Sequence, residues 1–282
     1  MLKVLWIADF NISQNSGGAQ VTDNRLISYG KQLGYNIEYF NYNSQDDILA
    51  REFDIVISGN LENLHKRQNV LEFLLSHPRH YRLEHDANAY LTQEIRQSIF
   101  SSTIINFFLT DYHLDMFKSR YGNIFNKVEI VPDPIDTNLF FNKNLTRKQE
   151  TLYVGFMHPL KGTYGFLEHA LLHPNERFAV AGWGSPSIEK TIKFMPNVNW
   201  LGKIEYDKMP DLFNTYSTLY YKPIGFEPFC RSVGEALLCG MNIEASNNIG
   251  SLHDFKKYGY EEFKNRCKDA PNKFWNLIEG KK

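Results

Sequence analysis

Two glutamates, Glu227 and Glu235, stand in the stretch Pro223-Ile-Gly-Phe-Glu-Pro-Phe-Cys-Arg-Ser-Val-Gly-Glu-Ala-Leu-Leu-Cys-Gly240. Pro228 suits the first position of a helix, and Phe229, Ser232, Val233, Ala236 and Leu237 fall on one face of it. Gly240 suits its end. Eight helical residues rise roughly 12 Å, a span that matches a sugar joined through a diphosphate to a ribose. The unpaired N–H groups at the helix start would hold the diphosphate, while the two carboxylates accept sugar and ribose hydroxyls. The pattern therefore points to a sugar nucleotide, against the plainer alternative of two solvated helix glutamates. A second candidate is His85 in His85-Asp86: an imidazole can take a hydroxyl proton or hydrogen-bond a sugar, tuned by a carboxylate beside it.

These side chains need a scaffold, and the apolar runs supply one. Residues 2–8, 36–40, 54–58, 81–84, 103–109, 177–184, 197–203, 217–221 and 241–245 read as strands, separated by helical patterns such as 19–33. Alternation of this kind predicts doubly wound parallel sheets, with ligands beyond the carboxyl ends of the strands. By position alone that rule nominates Asp9, Gly17, Gly18, Ser58, Gly59 and Asn60. Gly17-Gly18 closes a polar loop ahead of a helix, where a ligand can approach the backbone. Pro132 and Pro134 stop the strand that starts at Val128, and residues 142–150 form a polar linker. The domains are placed at 1–140 and 141–264, followed by an aromatic helix in 265–282.

Composition narrows the classes further. The chain has 282 residues, 43% hydrophobic and 15% aromatic, enough for a large core or two modest ones. A net charge of −1 gives no global field toward nucleic acid or an anionic membrane. Three cysteines without a C-x-x-C pair point to a reducing compartment. No apolar run approaches the roughly 18 residues of a membrane span. The expectation is a soluble, cytoplasmic protein. Gly182-x-Gly184 lacks the later glycine of a dinucleotide fingerprint, so a nicotinamide site is rejected. Asp133 and Asp136 make no D-x-D metal motif.

Glu227-x7-Glu235-Ala236 resembles the E-x7-E motif of retaining glycosyltransferases of the GT-B fold, especially family 4. Other segments follow in the family's order across nearly the whole chain: the Gly17-Gly18 loop, His85-Asp86, the exit Val131-Pro-Asp-Pro-Ile-Asp136, Lys161-Gly162, Gly182-x-Gly184 and the strand before Lys203. The resemblance implies an α/β GT-B fold, two Rossmann-like domains whose parallel sheets face an interdomain cleft. The N-terminal domain would take the acceptor, the second domain the nucleotide-sugar donor, and the last helix would cross back to the first domain. It implies a hexosyl- or pentosyltransferase using a nucleoside-diphosphate sugar, UDP-linked, with retention and without a metal. His85 would lie at the reacting sugar, Glu227 would hold donor-sugar hydroxyls and Glu235 the ribose. Lys161 would grip the diphosphate beside Gly17, Gly18, Phe229 and Cys230, and Lys203 and Ile204 would line the nucleobase pocket.

The chain departs from that pattern at two positions. Asp133 replaces the family's common Asn, and Phe156 replaces an Arg that binds the donor diphosphate. Losing a bidentate cation weakens an anion site, so Arg231, in the first turn of the Glu227 helix, is expected to bind the donor and supply the missing charge, with His158 as the alternative. The same departure motivates a non-catalytic sugar-nucleotide binding module as the competing reading. The acceptor stays open between a glycan, a lipid-linked sugar and, for a viral enzyme in a host cytoplasm, a hydroxymethylated DNA base. A DNA acceptor calls for a local basic groove, for which 65–67, 77–82 and 118–120 are the candidates.

Overall fold

The computed structural model describes residues 2–281 except Ser16, Asn88 and Ala89, so Ser16 of the glycine loop and Asn88 after His85-Asp86 lie outside the described residues. The chain divides into two compact units, Met1–Pro134 with Arg266–Lys282, and Ile135–Asn265.

The first unit runs β1 (Lys3–Ile7), α1 (Gly18–Gln32), β2 (Asn36–Phe40), β3 (Ile55–Ser58), α2 (Gln68–Ser76), β4 (His80–Leu83), α3 (Gln93–Ser102), β5 (Asn106–Phe108), α4 (Asp111–Tyr121) and β6 (Val128–Ile130). Its six strands are parallel in the order β2-β1-β3-β4-β5-β6. Chain order reverses at β1, which makes the crevice at the ends of β1 and β3 the switch point of this sheet. Helices cover a sheet of this kind on both faces, so its central strands read as unbroken apolar runs; all four residues of β3 are buried. The run 103–109, expected to be one strand, is shorter: β5 covers Asn106–Phe108, preceded by bonds to β4 from the Ile104 N–H to the His80 carbonyl and from the Arg82 N–H to the Ile105 carbonyl.

The second unit runs β7 (Lys148–Met157), α5 (Thr163–Leu172), β8 (Phe178–Gly184), α6 (Pro186–Lys193), β9 (Val198–Gly202), α7 (Met209–Thr215), β10 (Tyr216–Tyr221), α8 (Arg231–Leu238) and β11 (Asn242–Ala245). Its five parallel strands lie in the order β11-β10-β7-β8-β9, and the switch point falls between β7 and β10. The supposed linker 142–150 already contains the start of β7. Arg147, just before it, donates to the carbonyls of Phe213 and Tyr216, which ties the strand entry to α7 and β10.

The closing helix α9 (Gly250–Glu279) is interrupted at Gly259, where φ is 74° and ψ 175°. Within the first unit its last turns bring Trp275 onto Tyr35, ring centroids 4.6 Å apart, and the indole N–H donates to the Leu26 carbonyl at 2.8 Å. Gly30 of α1 makes room for that ring, because a Cβ there would stand 2.4 Å from it.

In the stretch 77–82, offered as a basic groove, His80 and Arg82 are fully buried. Burial lowers the His80 pKa to about 3, and Arg82 pairs with Glu84 at 2.7 Å. Pro228 does not begin α8: the helix starts at Arg231, after Cys230. Residues 227–230 are drawn away from it by pairing with the following loop, where Glu227 N–H donates to Asn248, Gly250 N–H to Glu227 and Ser251 N–H to Phe229.

Candidate active site

In the second unit the switch point gathers Lys161, Tyr221 and Glu227. Lys161 ends a short turn, Pro159–Lys161, after β7, and Gly162 follows it in the left-handed region at φ 79°. A Cβ on Gly162 would stand 2.1 Å from the Lys222 carbonyl, so glycine is what lets the loops after β7 and β10 close on each other. Across that closure Lys161 Nζ donates to Glu227 Oε1 at 2.6 Å, and the Tyr221 hydroxyl donates to the same oxygen at 3.1 Å. Burial, then the neighbouring Cys230 and Glu227, push the Tyr221 pKa far up and keep it a proton donor. The Asn248 amide donates to the carbonyls of Pro223 and Gly225 and pins the loop that carries Glu227.

Cys230 precedes α8 with φ 66°, strained for a residue other than glycine. The residue before α8 makes no side-chain cap bond and no acid sits in the first turn, so the helix start carries partial positive charge. Burial pushes the Cys230 thiol up, and it stays protonated. The Phe229 side chain lies in the core and stacks on Phe263, leaving its backbone as the part nearest the helix start.

Glu235 is 2% exposed. The Tyr206 hydroxyl donates to its Oε1 at 2.7 Å, and Arg231 Nη1 lies 3.5 Å from the same atom. Arg231 is thus engaged with Glu235, with 9% of its side chain exposed. Lys203 follows β9 and stands over the Trp183 ring, 5.9 Å from its centroid, while Ile204 is half-buried in the same loop. Phe156 is exposed, stacks on His158 and tilts against Trp183, its partner across β7 and β8. The phenyl ring that stands where the resemblance expects an arginine therefore forms an aromatic surface at the carboxyl ends of two strands.

In the first unit His85 follows β4. Glu84, held by Arg82, accepts the N–H of His85 at 3.1 Å, which fixes the strand end. His85 Nε2 lies 2.8 Å from Asp23 Oδ1 on α1. Burial by itself lowers the His85 pKa, but Asp23, Asp133 and Glu84 raise it by more, so the net shift is upward. The upward shift favours the protonated ring, a donor toward Asp23, where the sequence reading also allowed a base. Asp133 is buried and accepts the Thr22 hydroxyl at 2.5 Å.

Gly17 caps α1 and Gly18 begins it. Asp9, Ser58 and Gly59, nominated by position, serve the framework. Asp9 accepts the N–H groups of Asn63 and Leu64, Ser58 bonds His80, and Gly59 carbonyl accepts Arg82. Sequence reasoning missed Tyr206, Tyr221, Asp23 and Trp183. Tyr221 was readable as the last residue of a strand that points at Glu227; the other three meet their partners only through the fold. Among the described residues no group of three or more His, Cys, Asp or Glu side chains is arranged to hold a metal ion.

No family model and no curated protein matches the sequence. Solved structures do match the fold. Sucrose-phosphate synthase from Thermosynechococcus elongatus matches over 99% of this chain and 96% of its own, with a TM-score of 0.67 at 11% identity. HepE from Anabaena, in complex with UDP and glucose, matches over 100% and 95%, with a TM-score of 0.67 at 13% identity. The catalytic domain of starch synthase IV from Arabidopsis thaliana, bound to ADP and acarbose, matches over 99% of each chain, with a TM-score of 0.64 at 11% identity. These likenesses, with the two parallel sheets, establish a GT-B fold of two Rossmann-like domains.

Proposed function

We propose that this chain is a glycosyltransferase that moves a sugar from a UDP-linked donor to an acceptor hydroxyl, with retention and without a metal. The observation that carries the reading is the Lys161–Glu227 pair at the switch point of the second unit, beside the uncapped start of α8. A cation, a carboxylate and a row of N–H donors at one strand edge suit a phosphate group next to a sugar. That HepE is in complex with UDP-glucose, on the same fold, supports a UDP-sugar as the donor.

In this reading the second unit holds the donor. Lys161 and the α8 N-terminus stabilise the charge that develops on the departing diphosphate. Glu227 keeps its second oxygen for donor-sugar hydroxyls, and Glu235, oriented by Tyr206 and Arg231, is assigned to the ribose. Trp183, Lys203 and Ile204 border the base, and Phe156 widens that apolar surface in place of a second phosphate cation. The first unit holds the acceptor, and His85, its pKa shifted upward by Asp23, Asp133 and Glu84 against burial, is assigned as a hydrogen-bond donor there. A non-catalytic binding module is the second reading, favoured only by the aromatic Phe156.

Titration calorimetry and release of UDP test the assignment. Lys161→Ala is expected to weaken UDP binding by about tenfold to a hundredfold, the worth of one charged hydrogen bond of 1.5–3 kcal/mol. Glu227→Gln is expected to keep UDP binding and to lose about a hundredfold in turnover, as for a lost transition-state contact. Unchanged turnover in Glu227→Gln would refute its role, and donor binding with no release under any condition would favour the binding module.

A further inference from the structure

A pocket of about 220 Å³ opens in the first unit between α1, β2 and the loop after β1. Its polar lining includes Asn11, Gln20, Asp23, Asn24, Lys31 and Tyr39, with three isoleucines among them. At roughly 30 Å³ for each water displaced, this is the space of about seven waters, fit for one sugar ring and smaller than a drug-sized site.

The lining chemistry selects the occupant. Three carboxamides each donate and accept, which complements ring hydroxyls that also do both. Asp23 and Lys31 offset each other, so the pocket has no net positive charge with which to hold a phosphodiester chain. Its one aromatic ring, Tyr39, has its hydroxyl committed to the Phe10 carbonyl at 2.8 Å, and no second ring completes a stack for a base. The pocket is also wired to His85, because Asp23 on its wall accepts from the imidazole at 2.8 Å. Gly17 shapes it: a Cβ there would stand 2.8 Å from Gln20 Oε1 and displace that amide.

We infer that this pocket holds a sugar unit of the acceptor, so that the acceptor is a carbohydrate or a sugar-capped molecule and not a nucleic acid. The inference rests on the transferase reading. In the transfer, the acceptor O–H bond breaks and its oxygen bonds the donor anomeric carbon. The bond from that carbon to the diphosphate breaks, with its electron pair leaving on UDP, and the proton departs with the diphosphate.

Saturation-transfer NMR tests the pocket without any donor, using methyl glycosides of glucose, galactose, mannose and N-acetylglucosamine and, separately, a hydroxymethylcytosine oligonucleotide. At least one glycoside is expected to bind the wild-type chain at millimolar concentration. Asn24→Trp, which fills the pocket from an exposed position of α1, and Gln20→Leu, which removes one amide, are expected to abolish its signal while circular dichroism shows both folded. Equal glycoside binding in both variants, or no glycoside binding to the wild type, would overturn the inference. So would oligonucleotide binding that both variants abolish. UDP release is measured alongside: bound glycoside that never accelerates release from a UDP-sugar would overturn the transferase reading and leave the sugar pocket standing.

Discussion

At His85 the surroundings decide which proton form is favoured. Asp23, Asp133 and Glu84 outweigh burial and raise its pKa above the usual value of about 6.5. A group with a raised folded pKa contributes stability that is full below the unfolded value and is lost as pH rises through the folded one. Unfolding free energy is therefore expected to decline as pH climbs from about 6.5, and less so in His85→Gln. Asp133→Asn removes one of the charges responsible, and the His85 pKa read by proton NMR is expected to fall; an unchanged value would remove Asp133 from this account. The sequence made His85 legible because a His-Asp follows a strand, but the partner that holds its Nε2 is Asp23, 62 positions away. Phe156 shows the opposite case. Its departure from the family arginine was visible, while its consequence, an aromatic surface shared with Trp183, depends on the register of β7 against β8. Trp183→Ala is expected to weaken UDP binding by about tenfold, from loss of 1–3 kcal/mol of base stacking.

Among the elements, the loops after β7 and β10 matter more to the site than the helix that first drew notice. Local spacing put the start of α8 at Pro228, but residues 227–229 exchange hydrogen bonds with 248–251, and a local pattern carries no sign of such pairing. The apolar spacing still marked the buried face, since Phe229, Val233, Ala236 and Leu237 are all buried. What places Glu227 against Lys161 is the closure at Gly162. Gly162→Ala combines an unfavourable positive φ with a clash against the Lys222 carbonyl. It is expected to destabilise the chain by about 1–3 kcal/mol in denaturant unfolding, and to weaken UDP binding because the two loops must separate. Full UDP affinity in that variant would show that the loop closure does not shape the site.

For the whole molecule, alternating strands and helices were readable because parallel sheets bury both faces and leave near-continuous apolar runs. The break of α9 at Gly259 was not, since one glycine in a helical pattern carries no direction. Nor was the burial of Arg82, whose charge is balanced by Glu84 within the first unit. The same unit depends on residues from the end of the chain: Trp275 is fully buried there against Tyr35 and Leu26. Trp275→Ala is expected to lower stability by about 3–5 kcal/mol, seen as earlier unfolding of the first unit with the second unchanged. The transferase proposal requires that the Lys161–Glu227 site take a sugar nucleotide. The most direct measurement is titration of UDP and UDP-glucose into the wild type, Lys161→Ala and Glu227→Gln. Binding of both ligands by the wild type is expected, with UDP binding weakened by Lys161→Ala and the preference for UDP-glucose over UDP lost in Glu227→Gln. UDP binding that is absent, or that is indifferent to Lys161, would contradict it.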